Sequence, residues 1–259
     1  MRLIDTHTHL DFDPFDHDRS EVLARCKAVG VERILVLGVH EANWERVWQL
    51  AQEQPAVYAA LGLHPVFLQE HRPEHIDALR DWLQRLRGQN KLCAIGEIGL
   101  DYYIENLDKD RQQQLLEAQF DLANEFELPV LLHARRSHAQ MIATLKRYKL
   151  KRTGVAHAFS GSWEEAREYI KLGYKLGLGG AGTWPQAHRM RRVLQQLPLE
   201  SIVLETDAPD ITPYSHAGQR NSPDFLPDIC HALAELRGIS PDELAEASHR
   251  NSCQLFGWA

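Results

Sequence analysis

The 259 residues are 44% hydrophobic and 25% charged, enough apolar material for one large core. A net charge of −7 argues against a protein that coats nucleic acid nonspecifically, while leaving room for phosphate ligands at bound cations or a local basic patch. Cys26, Cys93, Cys230 and Cys253 are scattered without a C-x-x-C, so neither a zinc knuckle nor a disulfide framework is indicated and a reduced, cytoplasmic setting is expected.

The opening MRLIDTHTHL lacks the charge and apolar block of a signal peptide, and no apolar run approaches the roughly 20 residues of a membrane span. Residues 3–7 read as a first strand that runs into Asp5-Thr6-His7-Thr8-His9. Side chains two apart on a strand share a face, so His7 and His9 project together with Asp5 one step behind. Such a pair is either a polar strand end or half of a nitrogen-rich metal site.

Further short, β-branched apolar runs follow at 33–39, 57–63, 92–98, 129–133, 154–157, 174–178 and 201–206. Amphipathic segments at 19–29, 43–52, 73–86, 111–126, 137–148, 164–172 and 186–197 separate them. Strict alternation with short connections implies right-handed crossovers and a parallel sheet, closed as an eight-stranded TIM-type (β/α) barrel whose last unit is incomplete or distorted at most. Ser162-x-x-Glu165 and Ser240-x-x-Glu243 read as capping boxes, the second with Pro241 at the first helical position. Helices at 227–236 and 241–256 are expected to complete the outer ring. With no repeat, low-complexity tract or polar linker, residues 1–259 are expected to form a single domain. The longest loop, 208–224, is rich in Pro, Gly, Ser and Asn, and a loop of that length is usually functional or mobile.

The polar residues gather at C-terminal strand ends: His7 and His9, His64, Glu97, His133, His157, and Glu205 with Asp207. In barrels of this type that face carries the chemistry. Parity places Asp207, Glu205 and Val203 inward with Ile202 and Leu204 against the helices, stacks Cys93, Ile95 and Glu97 on the inner face, and puts Asp5 inside the barrel below His7. Each residue alone is an ordinary polar group at a strand end. Together, converging histidines and carboxylates in one apolar-walled mouth need divalent cations to neutralise them.

Five motifs then carry a resemblance: D-T-H-T-H at the start, G-L-H-P at 62–65, G-E-I-G-L-D at 96–101, H-A-F-S-G-S at 157–162 and E-T-D-A-P at 205–209. The chain resembles the TatD family of metal-dependent hydrolases over nearly its whole length, with N-S-C-Q-L-F at 251–256 matching the family's C-terminal end. E-T-D-A-P-D and His133-Ala134-Arg135-Arg136 look most like the YjjV-type branch. Commoner members carry Tyr in place of Asp210 and Glu in place of Ser222, departures that fall on the substrate loop.

The resemblance implies a two-metal centre, with His7, His9 and Asp207 on one ion, His133 and His157 on the other, and Glu97 bridging. It also implies cleavage of phosphodiesters from the 3′ end of single-stranded DNA or RNA. In such a centre two metals activate a water and stabilise the leaving oxygen, with Asp207 and Glu97 as catalytic carboxylates and Asp207 the group that orients the water or takes its proton. Glu205 and His64 are supporting partners of the ligands or hold a further metal, and Asp5 is support.

Arg135, Arg136 and Arg220 with Asn221 are candidate phosphate contacts or a solvated rim; Tyr102 and Tyr103 are candidate base-stacking platforms or edge packing. Gly177, Gly179, Gly180 and Gly182 admit a phosphate or form a plain turn. Imidazole-rich ligands suit zinc, manganese, iron or nickel, and magnesium is abundant in cells, so the pair of divalent ions is Mg, Zn or Mn in expectation. The rival readings are an amidohydrolase-like barrel acting on a small ester, amide or phosphoester, and a nonenzymatic metal or nucleic-acid binding protein. No membrane association and no obligate protein partner are expected.

Overall fold

The computed structural model describes residues 1–258. Its strands are β1 (Leu3–Thr8), β2 (Val31–Leu37), β3 (Val57–Leu61), β4 (Leu92–Asp101), β5 (Val130–Arg135), β6 (Gly154–Ala156), β7 (Lys175–Leu178) and β8 (Ile202–Leu204). Between and after them lie α1 (Arg19–Ala28), α2 (Trp44–Glu53), α3 (Glu74–Arg85), α4 (Lys109–Phe126), α5 (His138–Tyr148), α6 (Trp163–Lys171), α7 (His188–Gln196), α8 (Leu226–Arg237) and α9 (Pro241–Phe256). The strands pair in parallel in chain order from β1 to β8, as alternating strand and helix patterns require. Both expected capping serines accept from the third helical N–H, Ser162 from Glu165 and Ser240 from Glu243.

Two layers follow from strand parity. Ile34, Val36, Leu61, Leu132, Ile202 and Leu204 pack with helix residues such as Val22, Val47 and Leu79. Leu35, Leu37, Ala60, Leu131, Val155 and Val203 fill the barrel interior. Leu255, Phe256 and the partly buried Trp258 join that inner cluster, so the end of α9 plugs the barrel floor as well as completing the ring. Polar chemistry is thereby left to the opposite, open end.

The β1–β8 seam is where the barrel is distorted. No ladder pairing joins these strands; instead Asp207 N–H donates to His7 O at 2.8 Å and His9 N–H to Ala208 O at 2.7 Å. Asp5 stitches the seam lower down, accepting from Thr206 N–H at 2.9 Å and Thr206 Oγ1–H at 2.6 Å.

Two parity expectations are corrected by register shifts. Asp5 aligns with Ile34 and Thr8 with Val36, so β1 carries one extra residue between them, and Asp5 sits in the seam beside the outer layer rather than inside the barrel below His7. In β4, Leu92 aligns with Ala59 but Ala94 with Ala60, which turns Ile95 into the outer layer. A second shift, with Ile95 opposite Val130 and Ile98 opposite Leu132, returns Glu97 to the interior. Bulges re-aim side chains beside functional sites in this way, and a strict period of two cannot foresee them.

Candidate metal centre

Glu97 is the hub of the open end. It is 2% exposed, and nitrogens of five imidazoles lie within 3.3 Å of its oxygens. Oε2 faces His7 Nε2 at 3.1 Å and His9 Nε2 at 3.3 Å, and both of these nitrogens also approach Asp207 Oδ1, at 3.5 and 3.7 Å. Oε1 faces His64 Nε2 at 2.9 Å, His133 Nδ1 at 3.1 Å and His157 Nε2 at 2.9 Å. One carboxylate thus divides the histidines into two sets.

The outer nitrogens decide which inner nitrogens carry lone pairs. His9 Nδ1 lies 3.4 Å from Leu37 O, His133 Nε2 lies 2.9 Å from Asp101 Oδ2, and His157 Nδ1 lies 3.5 Å from Glu205 Oε1. Donation outward from His9 and His133 leaves the nitrogen nearest Glu97 free to ligate, while His157 Nδ1 faces the Glu205 carboxylate beyond hydrogen-bond geometry. His64 is opposite: its Nδ1 accepts from Val66 N–H at 3.1 Å, so Nε2–H donates to Glu97. His64 therefore supports the hub instead of supplying a metal lone pair.

The donor set fits two divalent cations. A carboxylate offers about four lone-pair sites, fewer than the imidazoles around this one, and the nitrogen and oxygen donors divide on either side of it. His7, His9 and Asp207 form one compact group. His133 and His157, with Nδ1 and Nε2 3.4 Å apart, face the other side. His7 Nδ1, His157 Nδ1 and Glu205 Oε2 are buried without a hydrogen-bond partner among the described residues.

Charge competition marks the same spot. Burial opposes ionisation of Glu97, yet His64, His157 and His7 hold it well below the carboxylate range. Burial raises Asp207 to about 7 against the pull of His157 and His9. Burial and the neighbouring His157 push His7 down, while Glu97 and Glu205 carry His157 up against its own burial. His7 and His157 stack with ring centres 3.8 Å apart, so they do not both take a proton.

Glu205 is fully buried and accepts from Ala158 N–H at 2.5 Å. A Cβ at Gly177 would collide with its carboxylate, which explains one member of the glycine cluster: it admits a glutamate side chain. Gly99 has a related reason, since a Cβ there would strike the His133 backbone.

The structure separates the expected substrate contacts. Arg135 lines a cavity of about 480 Å³ over the centre, together with Asp207, Asp210, Met190 and Ile211, and lies 3.7 Å from the centre of the exposed Tyr103 ring. Arg136 also approaches that ring, at 4.7 Å, and with Tyr102 lines a neighbouring cavity. Arg220 is a correction: it forms a two-pronged pair with Asp18 at 3.0 and 2.6 Å and also donates to Pro14 O. Asn221 is a second correction, fully buried and donating to Thr206 O at 2.7 Å and Asp210 O at 2.6 Å. Both shape the long loop, whose polar composition looks the same in sequence whether its residues face substrate or each other.

Three residues escaped the sequence reading. Asp101 backs His133; its position four beyond Glu97 in G-E-I-G-L-D was the available signal. Gln112 and Gln119, seven apart on α4, each clamp a backbone. Gln112 bonds the N–H and O of Asp101 at 2.8 and 2.9 Å, and Gln119 those of Leu63 at 2.7 and 3.1 Å. Within a helical pattern such glutamines look like surface residues.

A profile of the TatD related DNase family matches residues 4–257. The chain is 44% identical over 255 residues to the uncharacterized metal-dependent hydrolase YjjV of Escherichia coli K12, covering 98% of each. The crystal structure of E. coli YjjV superposes with a TM-score of 0.95 at 43% identity, covering 99% of this chain and 98% of that one. This chain is also 32% identical to the 3′-5′ ssDNA/RNA exonuclease TatD of Citrobacter rodentium, over 98% of each chain. Matched along almost its full length in sequence and in fold, the chain belongs to the TatD-related DNase family and is a metal-dependent hydrolase.

Proposed function

We propose that the chain is a single-domain, cytoplasmic exonuclease that hydrolyses phosphodiesters from the 3′ end of single-stranded DNA or RNA with two divalent ions. The observation that carries this reading is the division of Glu97, Oε2 toward His7, His9 and the Asp207 side and Oε1 toward His133 and His157. The exonuclease name of the Citrobacter rodentium relative supports the substrate class. When bound, the ions supply positive charge that polarises the phosphate and acidifies water.

The chain's own groups do the rest. His7, His9, His133, His157 and Asp207 would hold the ions, with the Glu97 carboxylate shared between the two sets of donors. Asp207, which lines the cavity beside His7 and His9, accepts the proton of the attacking water on its carboxylate. Arg135 at the cavity edge neutralises a phosphate oxygen, with Tyr103 under its guanidinium to orient it. Met190, Ile211 and Ala181 narrow the cavity with apolar surface and limit competing water. Glu205 and Asp101 orient His157 and His133.

The test offers the purified protein 3′-labelled single-stranded DNA, RNA and a panel of small esters, each with and without chelator. Chelator-sensitive loss of the 3′ label is expected. Survival of both nucleic acids with every divalent metal, together with cleavage of an ester, would overturn the nuclease reading in favour of a small-molecule hydrolase.

A further inference from the structure

A second cavity of about 510 Å³ adjoins the cavity over the metal centre at Ser160. Ser160 lines both, and the first turn of α7 spans them with consecutive residues, Met190 on the first and Arg189 on the second. Two helices open onto the second cavity by their N-terminal ends: α5 through Ser137 and His138, and α6 through Gly161 and Ser162. Helix N-termini present N–H groups and partial positive charge to an anion; the α6 end is closed by the Ser162–Glu165 capping box, whereas the α5 end carries no side-chain cap and keeps its N–H groups available.

The side chains agree with the backbone. Arg136 and Arg189 are exposed, line this cavity and make no ion pair among the described residues. His138 is 7% exposed; its Nδ1 lies 3.2 Å from the Tyr169 hydroxyl, and its Nε2 has no partner among the described residues. With Tyr169 donating to Nδ1, Nε2–H is a buried donor without an acceptor. The carboxylate in the wall, Glu165, is turned to the helix end, where its Oε2 accepts from Ser162 N–H at 2.7 Å. Two guanidiniums exclude a cation here and suit a phosphate.

We propose that this second cavity is a phosphate subsite that holds the phosphodiester adjacent to the scissile one, so that the protein grips a nucleotide chain at two successive phosphates. This rests on the nuclease reading above. It adds a reason for preferring a polymer over a small ester: the latter has only one phosphate to offer.

The experiment compares Arg189→Ala, Arg189→Lys and the unmodified metal-loaded protein on a single-stranded oligonucleotide and on bis(p-nitrophenyl) phosphate, which has one phosphate. For Arg189→Ala, kcat/KM on the oligonucleotide is expected to fall about tenfold, mostly through KM, as for loss of a charge-assisted hydrogen bond. The slope of log KM against log salt should shrink by about 0.7, the value for one phosphate contact on a single strand. Arg189→Lys should keep most of that slope, and the single-phosphate ester should be cleaved within about twofold of the unmodified rate by all three. Equal losses on both substrates, or an oligonucleotide KM and salt slope unmoved by Arg189→Ala, would overturn the subsite while leaving the nuclease reading intact. If the unmodified protein leaves the oligonucleotide uncut and cleaves the ester, the nuclease reading fails, and the subsite with it.

Discussion

Asp101 Oδ2 lies 2.9 Å from His133 Nε2, on the side of the imidazole away from Glu97. Its other oxygen accepts from Tyr103 N–H at 2.9 Å and Ile104 N–H at 3.1 Å, and its backbone is clamped by Gln112. The carboxylate is therefore fixed, and it fixes the ring. With the proton held on Nε2, Nδ1 presents its lone pair to the centre.

Asp101→Asn tests that relay. An amide placed toward Nε2 favours the other tautomer and puts a proton where the ligand lone pair belongs. Affinity for the ion on the His133 side is expected to fall about 10- to 100-fold, as for other carboxylates behind ligand histidines. Titration with a divalent metal should show one weakened and one unchanged site. The far-ultraviolet spectrum should not change.

Thr206→Val tests the seam. The substitution keeps the side-chain volume but removes the hydroxyl that donates to Asp5 Oδ2 at 2.6 Å, in a place where both residues are fully buried. An unsatisfied buried acceptor costs about 1–3 kcal/mol, and urea unfolding should show a loss of that size. Stability equal to the unmodified protein would mean that the Thr206 hydroxyl adds nothing to the backbone bonds that cross the seam at Asp5, His7 and His9.

Arg220→Ala separates a structural role from a substrate role. Arg220 pairs with Asp18, and its guanidinium carbon lies 4.2 Å from the centre of the buried Phe15 ring. Removing the side chain is expected to cost about 1 kcal/mol, the upper range for partly exposed pairs, and to lower the melting temperature. KM for an oligonucleotide should stay within about twofold. A rise in KM at unchanged stability would restore Arg220 to the substrate surface.

Thiol labelling tests the packing. Burial pushes the thiols of Cys26 and Cys93 well up and raises Cys230 to about 12. Thiolate is the reactive form, so none of the three should react at pH 8 in the folded protein. Cys253, partly exposed near the end of α9, should react alone. Urea should release the other three together.

The barrel was legible because its signals are local and repeated. Eight β-branched runs and the caps at Ser162 and Ser240 lie within a residue or three of the elements observed. The histidines were legible because strand ends collect them on one face. What failed was parity across bulges: Asp5 and Ile95 changed sides because single extra residues in β1 and β4 respond to pairing with neighbouring strands. Arg220 and Asn221 failed for a related reason, since a loop's partners come from distant segments such as Asp18. Asp101 and Gln112 were missed because their roles are to hold another residue still, and such roles appear only when the partner's position is known.

In the proposed function Glu97 stands between two divalent ions. Crystals grown with manganese or zinc and measured at the metal's absorption edge would locate them directly. Two anomalous peaks about 3.5–4 Å apart are expected, one against Oε2 among His7, His9 and Asp207 and one against Oε1 between His133 and His157. A single peak, or peaks away from Glu97, would contradict a two-ion centre.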